Sequence, residues 1–139
     1  MKPYEFFEHP ADIGVQVRGA TLAELFTHAA QALGAALGQL APTGPPRQKS
    51  ITLTADSLED LLHDWLSELL YEVDTHHVCY DQITILTIGP HQLNATVGGT
   101  ASDFTRSRVN AEIKAVTYHQ LAVQELPDTS WQATVIFDV

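Results

Sequence analysis

The chain has 139 residues and 15.2 kDa, with 45% hydrophobic and 17% charged residues, which fits one globular domain spanning 1–139 and excludes a disordered chain. Seven Lys and Arg stand against 17 Asp and Glu, a net charge of −10, so a broad electrostatic grip on DNA or RNA is not expected. Cys79 is the only cysteine, which excludes an internal disulfide and a Cys-rich zinc site and suits a reducing, cytoplasmic setting.

In chain order, the opening Met1-Lys2-Pro3-Tyr4-Glu5 lacks the apolar core of a signal peptide. Gly14 to Arg18 reads as a short strand. Thr21-Leu22-Ala23-Glu24 is a capping box, in which the Thr and Glu side chains satisfy free amides at a helix start. Behind it Leu22, Leu25, Phe26, Ala29, Ala30, Leu33 and Leu37 recur at helical spacing, and Gly38 is placed to end the helix. Polar and Gly residues interrupt this stretch, so it is no membrane span. Pro42-Thr43-Gly44-Pro45-Pro46 reads as a loop, followed by a strand at Ile51 and Leu53.

A second helix starts at Ser57, with Asp60 three residues on, and carries a wide stripe of Leu58, Leu61, Leu62, Trp65, Leu66, Leu69, Leu70 and Val73. Ile83 to Ile88 and Leu93 to Gly99 read as strands paired through a Gly89-Pro90 turn, with a loop from Thr100 to Arg106. Glu112 to Tyr118, Leu121 to Leu126 and Trp131 to Asp138 complete the strands. Helices and hairpins in mixed order predict an α+β fold, a largely antiparallel β-sheet with two main helices.

Charge is uneven. Nine acids and no Lys or Arg lie between Ser50 and Thr105, many of the acids on the second helix, which fits a solvated face or a dock for a basic partner. Arg106, Arg108 and Lys114 form a small basic group, enough for one phosphate or carboxylate but not for a nucleic-acid platform.

Four segments carry candidate chemistry. In Glu8-His9-Pro10-Ala11-Asp12-Ile13-Gly14, Asp12 fits either an Asx turn or a carboxylate ligand on a loop beside the His9 imidazole. At Ile136-Phe137-Asp138-Val139 an alternating strand runs to the last residue. Asp138 and the Val139 main-chain carboxylate form either a solvated end or two hard oxygen donors for calcium, magnesium or manganese. In Glu112-Ile113-Lys114-Ala115-Val116-Thr117-Tyr118-His119, strand alternation would put Glu112, Lys114, Val116 and Tyr118 on one face. Lys114 there is either a surface cation or a donor to an anionic group. His76-His77-Val78-Cys79 has zinc-like ligands, but too few on one face for a site. No Gly-x-Ser-x-Gly, phosphate-cradling loop or dinucleotide fingerprint occurs, so no catalytic nucleophile is declared.

Together, the Glu8–Gly14, Glu112–His119 and Trp131–Val139 segments, with the Trp65-Leu66-x-Glu68-Leu69-Leu70-Tyr71 helix, resemble the archease family from end to end. The resemblance implies an archease-like α+β sandwich and a protein cofactor, not an enzyme, that activates an RtcB-type RNA ligase in tRNA splicing and RNA repair. Such a cofactor promotes guanylylation of the ligase and multiple turnover. It further implies a divalent cation, calcium by family analogy with manganese or magnesium as alternatives, held by Asp12, Asp138 and the Val139 main-chain carboxylate. Lys114 would act in the partner's active site or position the acidic cluster, and His9 would support the metal ligands or serve as a structural hydrogen bonder. Pro10 replaces a more usual Thr and Ser107 a more usual His, without touching the carboxylates. The competing readings are a stand-alone metal-dependent hydrolase, with His9 or Lys114 as acid or base, and a chaperone-like binding module.

Overall fold

The computed structural model describes residues 2–9, 12–109 and 111–139, with the side chains of all but His9 and 104–109. The elements run β1 (Tyr4–His9), β2 (Asp12–Gly19), α1 (Leu22–Leu37), β3 (Gly38–Thr54), α2 (Leu58–His76), β4 (Val78–Ile88), β5 (Gln92–Val109), β6 (Ala115–Val116), β7 (Ala122–Glu125) and β8 (Trp131–Asp138). They form two antiparallel sheets, one ordered β1-β2-β8-β6 with β7 also on β8, the other ordered β3-β5-β4.

Both helices begin as their sequences dictate. The Thr21 hydroxyl accepts from the Glu24 amide at 3.1 Å, and the Ser57 hydroxyl accepts from the Asp60 amide at 3.1 Å. Gly38 ends α1 at φ 123°, a conformation that Cβ-bearing residues resist, and its amide reaches Gly34 O. Ala32 and Ala36 are buried in addition to the expected stripe, so α1 presents small residues on a second side as well. The helix packs between β2 of one sheet and β4 of the other, and small side chains let both approach. Trp65 of α2 is fully buried and donates its indole N–H to Phe26 O at 3.0 Å, tying the helices together. One apolar cluster takes in Val15, Val17, Val135 and Phe137 from the first sheet, Ile51, Leu93 and Val97 from the second, and both helices between them.

Several expectations are corrected. Residues 42–46 are not a free loop but belong to β3, an edge strand whose register slips between Gln39 and Ala41 and between Pro42 and Pro46. Proline lacks an amide proton, and an interrupted edge strand is where its loss is tolerated. The stretch from Thr100 to Arg106 likewise lies within β5, the central strand of its sheet. Gly98 and Gly99 make that segment look loop-like, yet a Cβ on Gly99 would lie 2.5 Å from Cys79 O, so close backbone approach requires the glycine. The expected strand from Glu112 to Tyr118 shrinks to Ala115–Val116. Ile113 and Val116 are both buried while Lys114 and Ala115 between them are exposed, so a two-residue alternation fails. β1, absent from the sequence reading, forms a hairpin with β2 in which Phe7 lies against Gly14.

Candidate functional site

The register of the first sheet assembles the candidate residues. Asp12 opens β2 and pairs with Asp138 of β8, while His9 pairs with Asp12 on one side and Ala115 with Asp138 on the other. The adjacent pair, Ile13 and Phe137, belongs to or packs on the apolar core. Because successive side chains alternate, Asp12 and Asp138 share the opposite face. Directly opposed residues in an antiparallel pair have Cβ atoms roughly 5 Å apart, and like charges there repel. Asp12 is therefore a strand residue, not a ligand on a free loop, and both carboxylates are half-buried.

Val139 follows the end of β8 and packs partly against the core, so Asp138 is held in place and not frayed. Lys114 is fixed through its backbone, its amide donating to Asp138 O at 2.7 Å, and its side chain is exposed. The backbone of His9 belongs to this row, while its side chain, with those of Arg106, Ser107 and Arg108, and all of Pro10 lie outside the described residues. The structure thus brings Asp12, Asp138, Val139, Lys114 and the His9 backbone to one end of one sheet.

The donor chemistry of the row fits a hard cation. Asp12 and Asp138 offer carboxylate oxygens only, the set preferred by calcium, magnesium and manganese. Among the described residues no three His, Cys, Asp or Glu side chains converge as a complete cage, so two opposed carboxylates are what the described side chains supply. The zinc-like run does not assemble. His76 ends α2, His77 caps it at φ 56°, Val78 is fully buried and Cys79 enters β4. Burial, followed by the charge of Asp81, pushes the Cys79 thiol above its ordinary range, which makes it a poor thiolate.

A second constellation was missed by reading the acids of α2 as a solvated face. Glu72 is 4% exposed, and its carboxylate accepts from Tyr80 OH at 3.2 Å and pairs with His76 Nδ1 at 2.9 Å and Lys49 Nζ at 3.4 Å. Lys49 also bonds Glu68 at 2.8 Å. Burial works to raise the Glu72 carboxyl, but bonds from His76, Lys49 and Tyr80 and the Lys49 charge outweigh it and hold it below its ordinary value. The Glu68 bond leads in raising Lys49. Glu68, Glu72 and His76 stand four residues apart in sequence, and that spacing was the available signal for one shared helix face. Near the start of α2, His63 stacks on Tyr118 with ring centroids 4.0 Å apart and meets Val116 O at 3.0 Å, which anchors the chain just after β6.

A third feature joins the two helix ends. A cavity of about 310 Å³ is bounded by Leu37, Val73 and Ile113 below and by Asp74, His77 and Glu112 at its rim. Burial, followed by the Glu112 charge, pushes the Asp74 carboxyl above its ordinary range, against an opposing effect of His77.

These features define an α+β protein of two mostly antiparallel sheets and two helices, with paired carboxylates at one sheet end. The Archease protein family matches residues 4–139, and the chain belongs to that family. It is 30% identical over 142 residues to protein archease of Thermococcus gammatolerans, covering 100% of both chains. It is 34% identical over 142 residues to protein archease of Methanosarcina barkeri, covering 99% of this chain and 97% of the relative. Among solved structures, Methanobacterium thermoautotrophicum protein 1598 superposes with a TM-score of 0.74 at 28% identity over 100% of both chains. A Thermotoga maritima archease, described as a possible chaperone, superposes with a TM-score of 0.70 at 23% identity over 96% of this chain and 94% of that one, a likeness of fold.

Proposed function

We propose that this chain is a protein activator of an RtcB-type RNA ligase in tRNA splicing and RNA repair, acting through a divalent cation at its acidic sheet end and not joining RNA itself. The observation that carries the reading is the register pairing of Asp12 with Asp138, which opposes two like charges on one face of a sheet. That arrangement gains from a cation, for which calcium, manganese and magnesium are the candidates, with the Val139 main-chain carboxylate as a further oxygen donor. A bound cation would supply a positive centre for phosphate oxygens. The chain's own part is to hold the two carboxylates in register through β2 and β8 and to present Lys114 beside them. The net charge of −10 suits entry into a basic, phosphate-handling cleft and disfavours stable binding of free RNA.

A chaperone-like binding module is the second reading. Its support is that the Thermotoga maritima archease is described as a possible chaperone, together with the exposed Phe6 and Phe7, 40% and 38% accessible. A stand-alone hydrolase has less support, since the sequence carries no Gly-x-Ser-x-Gly or other nucleophile motif. Ligase turnover with limiting RtcB-type enzyme, GTP and manganese separates the readings. Substoichiometric wild-type protein should convert a single round of joining into many, and Asp12→Ala or Asp138→Asn should abolish the gain while leaving the circular dichroism spectrum unchanged. Full activation by both folded variants would refute the acidic-end mechanism, and unchanged turnover of a competent cognate ligase would refute the activator role.

A further inference from the structure

We infer that the cavity between the carboxyl ends of α1 and α2 receives an arginine side chain from a protein partner. The inference rests on the partner-binding reading above. Leu37, the last residue of α1, and Val73, in the last turn of α2, line this cavity with Ile113. Each helix directs roughly half a negative charge out of its carboxyl end, and α1 carries no basic residue in its last turn to offset it. Asp74 and Glu112 add two carboxylates at the rim of the same cavity, close enough for the Glu112 charge to act on Asp74. Two helix ends and two carboxylates, set against the single imidazole of His77, make a net negative well above an apolar floor.

An arginine matches each part of that well. Its three methylenes cover Leu37, Val73 and Ile113, while its planar fork can bridge two carboxylates at once, which the compact ammonium of lysine does less well. A bare metal ion fits poorly, because it would leave the apolar floor of Leu37, Val73 and Ile113 uncovered. A second copy of this chain fits poorly as well. It brings the same net charge of −10, and Lys49, one of its seven bases, is already engaged by Glu68 and Glu72. The position suits a shared partner, since Ile113 precedes Lys114, whose amide is bonded to Asp138 O. Whatever covers the acidic sheet end lies next to this cavity.

The test needs no ligase, so its outcome is separate from that of the activator reading. The ¹⁵N-labelled full chain is titrated with acetyl-Gly-Arg-Gly-amide, with the uncharged citrulline counterpart, and with calcium chloride, while the amides of Leu37, Val73, His77, Glu112 and Ile113 are followed. The arginine peptide should move these amides saturably and the citrulline peptide should not. Asp74→Asn with Glu112→Gln, both at exposed positions, should weaken the arginine response about tenfold or more, the loss expected when charge-assisted hydrogen bonds are removed. The inference is overturned by an equal response to citrulline, by an arginine response elsewhere or undiminished in the double variant, or by calcium moving the Leu37, Val73 and His77 amides in Asp12→Ala, where the acidic sheet end has lost a carboxylate.

Discussion

The Glu72 cluster yields a prediction whose size follows from the structure. Replacing Lys49 by Met removes the ammonium that lies 3.4 Å from Glu72 and 2.8 Å from Glu68. Glu72 keeps His76 and Tyr80, so the carboxylate is weakened in its bonding and not orphaned. A hydrogen bond to a charged group contributes roughly 1.5–3 kcal/mol. The Lys49 side chain is 34% exposed, and water screens it, so a loss of about 1–2 kcal/mol is expected, or roughly 3–8 °C in Tm for a domain of this size. Glu72→Gln alone should also destabilise, but the double variant should lose less than the two single losses together. Thermal unfolding and urea titration of the four proteins give the coupling directly.

The sign with pH is fixed by Glu72. Its carboxyl lies lower in the folded chain than its ordinary value of 4.5, so the contribution is complete above that pH and fades as pH falls through the lower folded value. The gap between wild type and Glu72→Gln should therefore close as pH falls from 4.5 through the lower folded value. Additive losses, with coupling below about 0.3 kcal/mol, would refute the reasoning, as would a gap that widens in acid.

Other outcomes follow from the fold and the acidic row. Calcium should raise Tm of the wild type but not of Asp12→Ala or Asp138→Asn. At a hundred times its Kd a ligand specific for the folded chain adds about 2.7 kcal/mol, and equal calcium response in all three proteins would exclude these ligands. Gly14→Ala would place a Cβ against the Phe7 ring, which is 38% exposed and can swing aside, so the Phe7 resonances should shift while stability changes by less than about 1 kcal/mol in thermal unfolding. Ser57→Ala removes the α2 cap and should cost about 1 kcal/mol, with an undiminished urea midpoint arguing against that cap.

Local chemistry alone specified both helices, because the Thr21 and Ser57 caps, the apolar spacing and the stop at Gly38 act within a few residues of one another. It also specified β8 to the residue and the β4–β5 hairpin about Gly89-Pro90, where a two-residue period and a turn coincide. The candidate acids Asp12 and Asp138 were legible too, through their motifs and the likeness to archeases. Their pairing was not, since they stand 126 positions apart in the chain and only the strand order β1-β2-β8-β6 opposes them. Tertiary structure likewise decided that residues 42–46 and 100–106 lie within strands, because β3 and β5 pair on both sides of the register shift between Pro42 and Pro46. It converted Glu72 from a surface acid into a buried one, since β3 brings Lys49 and β4, the strand that follows α2, folds Tyr80 back onto it. Alternation failed around Lys114 for a related reason. Ile113 and Val116 answer to core contacts, not to the pleat of a long strand, so burial outside the segment overrode the pattern within it.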